Sequence, residues 1–440
     1  MKKEMLYFFK KFLLKTLAFL CFPIFFFLGM LLALFARYFL PASTKSPSLV
    51  WGVTPIISNA YWSKAMSIMG YQSHTFTNGF YSTINKRSDW DLILQERYGK
   101  YTPNFVKILF AFFESMFKYN IYFISSDGFF LGGTPYWWLE NILLKIAGKK
   151  IVLLPYGSDS YVYRRIRSLD TIHALMISYP QAARKQEWIA TRVEYWCRNA
   201  DVVIPHFMGP DGFGRWDILV PNIFALDLSL WTSSTKKSTA NGHNGSVVIV
   251  HAPNHRGFKG TEFIIDSIEQ LKSEGLNIEF LLIEKKQNDE VREILTQKAD
   301  ILIEQIIATA YALNAIEGMA CSLPVISNLE DDALFRPFRR WSYFLECPIV
   351  SASPETLTDV LRKLVTRPEL RHQLGRAGRE YVEKYHGLDF AQHMFSAVIE
   401  HLYGRMDAHT LLNLYNPRTS EYCKRRPKVK HPLVNNRIVD

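Results

Sequence analysis

Residues 299–328 read ADILIEQIIATAYALNAIEGMACSLPVISN, and the architecture of the chain can be worked out from them. Residues 299–305 are apolar, β-branched and acidic in the manner of a buried strand. Residues 310–320 are built from helix formers, and LPVIS is a second short strand. The stretch is thus a βαβ half-unit of a parallel sheet. Glu317 is the only charge in the helical part, set among Ala, Ile, Leu and Met. A carboxylate there is costly unless something meets it. Two readings fit: a solvated or Lys-paired side chain, or an acceptor kept for a ligand.

The run E-G-M-A-x-x-L-P-V-I starting at Glu317, with Gln305 twelve residues before it and ALN just ahead, resembles the donor-binding signature of retaining GT-B glycosyltransferases of the group-one (family 4) type. That resemblance implies an α/β fold of two facing Rossmann-like domains. It also implies that Glu317 hydrogen-bonds the ribose hydroxyls of a nucleotide-sugar, and that the preceding loop and helix start, with Asn314, face the diphosphate. One position departs from the pattern. Eight residues before the first Glu the family has a second, which holds hydroxyls of the transferred sugar; here it is Thr309. A hydroxyl exchanges neutral hydrogen bonds but cannot make a charge-assisted one. Thr309 therefore enters the donor-binding set as a weaker sugar contact.

A chain of 440 residues with 48% apolar and 21% charged residues suits two globular domains. The net charge of +11 is concentrated at the ends: residues 1–15 carry five Lys against one Glu, and residues 404–440 carry eight Lys/Arg against three acids. The middle is nearly neutral, and no core element interleaves aromatic with basic residues. This pattern points to anionic membrane lipids and not to nucleic acid. The five cysteines show no CxxC or CxxH spacing, which argues for a reduced compartment and against a zinc site.

Residues 16–36, TLAFLCFPIFFFLGMLLALFA, contain no charge and are flanked by Lys10, Lys11 and Lys15 on one side and Arg37 on the other. The run is long enough to cross a bilayer. A signal peptide is the alternative, but the run is long for an h-region and no A-x-A site follows. The basic N-terminus would leave that end in the cytoplasm and send the body outward, whereas nucleotide-sugars are made in the cytoplasm. A re-entrant or interfacial element bent at Pro23 removes the conflict and keeps the body cytoplasmic. Residues 1–45 are accordingly read as a membrane anchor.

Alternating strand and helix patterns follow over residues 46–231, the expected acceptor domain: strands at SLVWGV, DLIL, NIYFIS, KKIVLLPYG and ADVVIPH, with helices near 59–69, 104–117, 136–146 and 181–198. Gly52, after the first strand, is a place where backbone can approach a ligand, although a turn glycine needs none. Residues 232–245 are a polar linker. Residues 246–403 form the expected nucleotide-sugar domain, and 404–440 a basic tail outside either core.

In the second domain VVIVHAP leads through a loop with His255, Arg256 and Lys259 into a helix whose Phe263, Ile264, Ile268 and Leu271 share a face. Cations and free N–H groups at a helix start are what a diphosphate requires; a solvated basic loop is the plain alternative. K-G-T before a helix resembles the family's phosphate-contacting lysine, which carries over to Lys259. The family's partner Arg, five residues earlier, is Asn254 here, and Arg256 is its displaced substitute. With no Asp-x-Asp to hold a metal, these cations meet the leaving charge; neither metal nor cofactor is expected. In PYGSD (155–159), which resembles an acceptor-side loop with Tyr156 where many members have His, Asp159 either orients an acceptor hydroxyl or caps the following turn. His206 reads as a core histidine. Lys259, Glu317 and Asp159 are the catalytic candidates. The expected activity is membrane-associated transfer of a sugar from a nucleotide-sugar to a glycan or lipid-linked acceptor, with retention, in cell-surface polysaccharide or glycolipid synthesis. The rivals are an epimerase of the same fold and a non-catalytic nucleotide-sugar binder.

Overall fold

The computed structural model describes residues 2–40, 44–82, 85–207, 210–233 and 238–439; part of the expected linker, 234–237, lies outside them. The chain divides into two compact units. The first holds a six-stranded parallel sheet in the order β3-β2-β1-β4-β5-β6, formed by Leu49–Trp51, Ser73–Thr77, Leu92–Ile93, Ile121–Ile124, Lys150–Leu153 and Val202–Val203, numbered β1 to β6 in chain order. β1, β4 and β5 are almost wholly buried, as apolar runs covered on both faces must be. β2 escapes the sequence reading because SHTFT is polar at four of five positions. Two of those polar residues are satisfied inside the fold: Ser73 Oγ accepts from the Trp51 ring N–H at 2.8 Å and meets Ser63 Oγ at 3.1 Å, and Thr75 donates to Asp91 at 2.8 Å from its backbone N and 2.9 Å from its hydroxyl.

The second unit holds a five-stranded parallel sheet in the order β11-β10-β9-β7-β8, from Val247–His251 (β7), Ile278–Leu282 (β8), Ile301–Gln305 (β9), Val325–Ser327 (β10) and Val350–Ser351 (β11). The opening stretch is indeed strand, helix Leu313–Ala320, strand. Its core joins Val247, Ile249, Ile301, Ile303 and Ile326 of the sheet to Ile264, Ile268 and Leu271 of the helix Thr261–Ser273. Phe263 departs from the expected face and is 43% exposed.

Three boundaries differ from the sequence reading. Residues 160–191 and 204–231, expected in the first domain, belong to the second unit. Leu226 N donates to His386 O at 2.7 Å and His386 Nδ1 meets Phe224 O at 2.8 Å, so this segment is stitched to the helices that follow β11. The basic tail is part of the second unit's core. Tyr415 is fully buried, Ser351 N donates to Asn436 O at 2.7 Å, and Val429 N donates to Glu346 at 2.9 Å. The buried tyrosines and cysteine of this segment, Tyr415, Tyr422 and Cys423, outweigh its basic composition. The N-terminal segment is one continuous helix, Lys2–Phe39, with Pro23 inside it, so the expected re-entrant break is absent. Losing one backbone donor at Pro23 does not end a helix supported by ring contacts from Phe22 to Phe35. It clusters with the strands and helices of the first unit, with no division near residue 45.

Candidate functional site

In each sheet the chain starts in the middle, winds one way, then crosses back and winds the other. The reversal falls between β1 and β4 in the first unit and between β7 and β9 in the second. Open α/β sheets bind ligands outside the carboxyl ends of the strands at such a point, where loops leave in opposite directions and open a crevice. The residues singled out by sequence in the second unit sit there: Lys259 in the loop after β7, Thr309, Asn314 and Glu317 after β9.

Glu317 is 4% exposed and is neither solvated nor paired with a lysine. Asn288 Nδ2 donates to Oε1 at 3.0 Å and Asn314 Nδ2 to Oε2 at 3.2 Å. Burial, with the Glu304 charge adding to it, pushes its carboxyl up to about 7 against these two donors. A carboxylate offers about four lone-pair sites, so two remain for ligand hydroxyls. Asn288 opens the helix Asn288–Gln297 and gave no signal in the sequence, being an ordinary helix-start residue.

Lys259 is also buried, with its ammonium bound to Glu304 and donating to Gln305 Oε1 at 2.7 Å. Two of its three N–H groups are thus engaged. Glu304 in turn accepts from Ala312 N at 3.2 Å and lies 3.1 Å from the Ser327 hydroxyl. This carboxylate lies at the end of an otherwise apolar strand, and the strand's fold brings it to Lys259. Arg256 is exposed and paired with Glu262 at 2.9 Å and Glu284 at 3.3 Å, so a phosphate there would have to compete with two carboxylates. His251, fully buried, bridges Ile303 O at 2.8 Å and Thr261 Oγ1 at 2.9 Å, and burial drops it to about 4, so it stays neutral and structural.

Thr309 meets two more hydroxyls, Thr171 Oγ1 at 2.7 Å and Ser168 Oγ at 3.1 Å. Ser168 caps the helix Leu169–Ser178, accepting from Thr171 N at 3.2 Å. Ala174 of that helix packs with Ile307, Ala308 and Phe258, and Gly257 lies so close to Ile177 that a Cβ there would stand 2.3 Å from its Cγ2. The helix therefore lies over both loops of the crevice.

In the first unit Gly52 has a packing reason of its own. A Cβ at Gly52 would stand 2.1 Å from Phe76 O, so the glycine is required by strand packing. Asp159 is 6% exposed and accepts from Ser126 N at 2.9 Å, Tyr156 N at 3.0 Å and Gly157 N at 2.9 Å. It clamps two turns together, the capping alternative of the sequence reading. The switch point of this sheet instead carries a cavity of about 410 Å³ lined by Thr54, Asn78, Gln95, Asp127, Phe129 and Arg192 among others. Asp127 accepts from the Tyr156 hydroxyl at 2.7 Å, and Arg192 ties the wall by donating to Ser126 O and Gly132 O at 3.0 Å each. His206, 2% exposed, packs against Phe224 in the second unit, as the sequence suggested.

No protein-family model matches the chain, and no curated protein matches it in sequence. Solved structures do. Sucrose-phosphate synthase from Thermosynechococcus elongatus superposes with a TM-score of 0.52 at 14% identity, over 82% of this chain and 100% of that one. A glycosyltransferase from Rickettsia africae ESF-5 follows at 0.48 and 12% identity, over 82% and 100%. An alpha-glucosyltransferase in complex with UDP and a 13-mer DNA gives 0.48 and 11%, over 80% and 100%. At such identities likeness speaks for the fold alone. The chain has the α/β fold with parallel sheets found in GT-B glycosyltransferases.

Proposed function

We propose that the protein is a membrane-associated glycosyltransferase that moves a sugar from a nucleotide-sugar to a glycan or lipid-linked acceptor. The observation that carries this reading is Glu317, buried at the switch point of the second sheet, aimed by Asn288 and Asn314 and left with capacity for two ligand hydroxyls. A ribose diol has that chemistry. Lys259, after the neighbouring strand, has one N–H left for phosphate. Glu304 would then share the ammonium, which lowers the cost of holding it in place before the donor arrives. The leaving diphosphate needs cationic stabilisation as the glycosidic bond breaks, and Lys259 supplies it. Retention, cytoplasmic placement and a role in cell-surface polysaccharide or glycolipid synthesis belong to this reading, supported by the resemblance around Glu317. A second reading, a nucleotide-sugar binder without transfer, is favoured by Thr309, whose hydroxyl is already engaged by Thr171 and Ser168.

Calorimetric titration of the detergent-solubilised full chain with a panel of nucleoside diphosphates and nucleotide-sugars tests the site. Glu317→Gln is expected to weaken every nucleotide by about 1.5–3 kcal/mol, the worth of a hydrogen bond to a charged group. Binding that is indifferent to Glu317→Gln refutes the placement. Donor hydrolysis without acceptor separates enzyme from binder, and anomeric analysis of the product decides retention.

A further inference from the structure

The stretch Leu20–Phe39 of the N-terminal helix is long and apolar enough to cross a membrane, but 22% of it is buried inside the structure. The burial is not scattered. At 100° per residue, Gly29, Ala33 and Ala36 fall on one side of the helix, and Leu20, Ile24, Phe27, Leu31 and Tyr38 on the other. Ala33 and Ala36 are fully buried, while those five side chains are 50–73% exposed. The small residues admit close approach: a Cβ at Gly29 would stand 3.2 Å from Leu143 and 3.8 Å from Phe113. Phe25 stacks on Tyr136 at 4.5 Å between ring centres, and Phe35 meets Phe117 edge-on at 6.1 Å. Contacts with the protein thus run from Phe22, against Trp138, to Phe35 on the flank.

The elements on that inner side are Asn104–Lys118 and Leu139–Ile146, two of the helices that cover the first parallel sheet. They carry Lys107, Glu114, Lys118, Glu140 and Lys145. A spanning helix must either leave them, baring its small-residue side and their apolar faces, or carry those charges into the hydrocarbon at roughly 2.5–3.5 kcal/mol each. Neither is needed if the helix lies flat. The exposed side has a continuous apolar strip, and cations bound it in sequence: five Lys against Glu4 among residues 1–15, and Arg37 at the far end. An apolar strip framed by positive charge is complementary to the headgroup boundary of an anionic leaflet.

We infer that residues 20–40 seat the first unit on an anionic membrane surface in the plane of the bilayer, with the Leu20–Ile24–Phe27–Leu31–Tyr38 side immersed and the Gly29–Ala33–Ala36 side remaining against the protein. The helix crosses nothing. The conflict between a basic N-terminus and a cytoplasmic body disappears, since both lie on one side of the membrane. The inference rests on the membrane association proposed above.

Cys21 is exposed on the flank of the helix, between its two sides, and the other four cysteines are buried, so the protein carries its own labelling site. A fluorescent probe is placed on Cys21 and, in a Cys21→Ser background, on Leu28→Cys, Leu31→Cys and Tyr38→Cys, all exposed positions whose replacement leaves the inner packing intact. The full chain is bound to vesicles of phosphatidylcholine with phosphatidylglycerol, and depth is read by nitroxide lipids that quench at shallow or deep levels. The expected result is one common shallow depth, about 5–10 Å below the headgroups, for all four probes, with binding weakened by salt. A spanning helix gives a gradient instead: residues 21 and 38 are about 25 Å apart along the axis, so they would report opposite faces with residue 31 near the midplane. That gradient overturns the in-plane seat and leaves membrane association standing. No binding to vesicles overturns both. Probes shielded in lipid-free protein of doubled mass, unchanged by vesicles, would assign the strip to a second copy and overturn the inference as well.

Discussion

Glu317 concentrates the chemistry of the second unit in one side chain. Its carboxyl is raised from 4.5 to about 7 by burial, so the folded state holds its proton more tightly than the unfolded chain. The stability this group contributes is therefore fully present below about pH 4.5 and is lost as pH rises through 7. Ribose hydroxyls donate best to the ionised form, so nucleotide affinity is expected to climb between pH 6 and 8, and in Glu317→Gln both the climb and the stability loss should disappear. A wild-type titration flat over that range would show that Glu317 does not receive the ligand. Lys259 and Glu304 make the second test at this scale. Lys259→Met strands a fully buried carboxylate and should cost about 3–5 kcal/mol of unfolding free energy, whereas Lys259→Met with Glu304→Gln should recover most of it. Thermal and denaturant unfolding would report equal losses if the pair were only incidental. Glu317 and Lys259 were legible because a charge inside an apolar helix and a Lys-Gly before a helix are local patterns. Asn288 and Glu304 were not, because what aims them is 29 and 45 residues away along the chain.

At the scale of elements, the helix Leu169–Ser178 decides what Thr309 can do. A Glu at position 309 would have to displace Ser168 and Thr171, so Thr309→Glu is expected to loosen this helix and raise its amide exchange. Thr309→Ala should leave nucleotide affinity within about 0.5 kcal/mol of wild type and act on turnover, since hydroxyl contacts that strengthen during transfer appear in kcat. Binding and transfer assays that move together would contradict this. Gly257→Ala is a sharper probe of the same contact: its methyl meets Ile177, and overpacking of this kind costs about 1–3 kcal/mol. The companion change Ile177→Ala should relieve it, and unfolding of the double variant checks that.

For the whole molecule, the C-terminal segment is the expectation most changed by the structure. Glu346, at the centre, receives Lys384 Nζ at 2.9 Å, the Tyr385 hydroxyl at 2.8 Å and Val429 N at 2.9 Å, and Lys384 also donates to Pro427 O at 3.2 Å. Asn436 Nδ2 ties Cys347 O at 2.9 Å and Ile349 O at 3.1 Å ahead of β11. Deleting residues 428–440 is expected to leave buried acceptors unpaired and lower the stability of the second unit by several kcal/mol, visible as a fall in Tm or loss of soluble protein. A truncated protein with unchanged Tm would restore the view of a dispensable tail.

The sequence by itself determined the alternation of parallel strands and helices, the position of the βαβ unit around Glu317, and the apolar N-terminal helix. These depend on periodicity and on the few residues nearest each position, which any reader of the chain has in hand. The tertiary structure alone decided which unit residues 160–231 join, that Lys259 is claimed by Glu304 and Arg256 by Glu262 and Glu284, that Asp159 is a clamp, and that the apolar helix has an inner and an outer side. Each of these is settled by a partner distant in sequence. Composition does not specify which of several available charges or faces a residue will meet, because that choice is made by loop closure and packing of the whole chain.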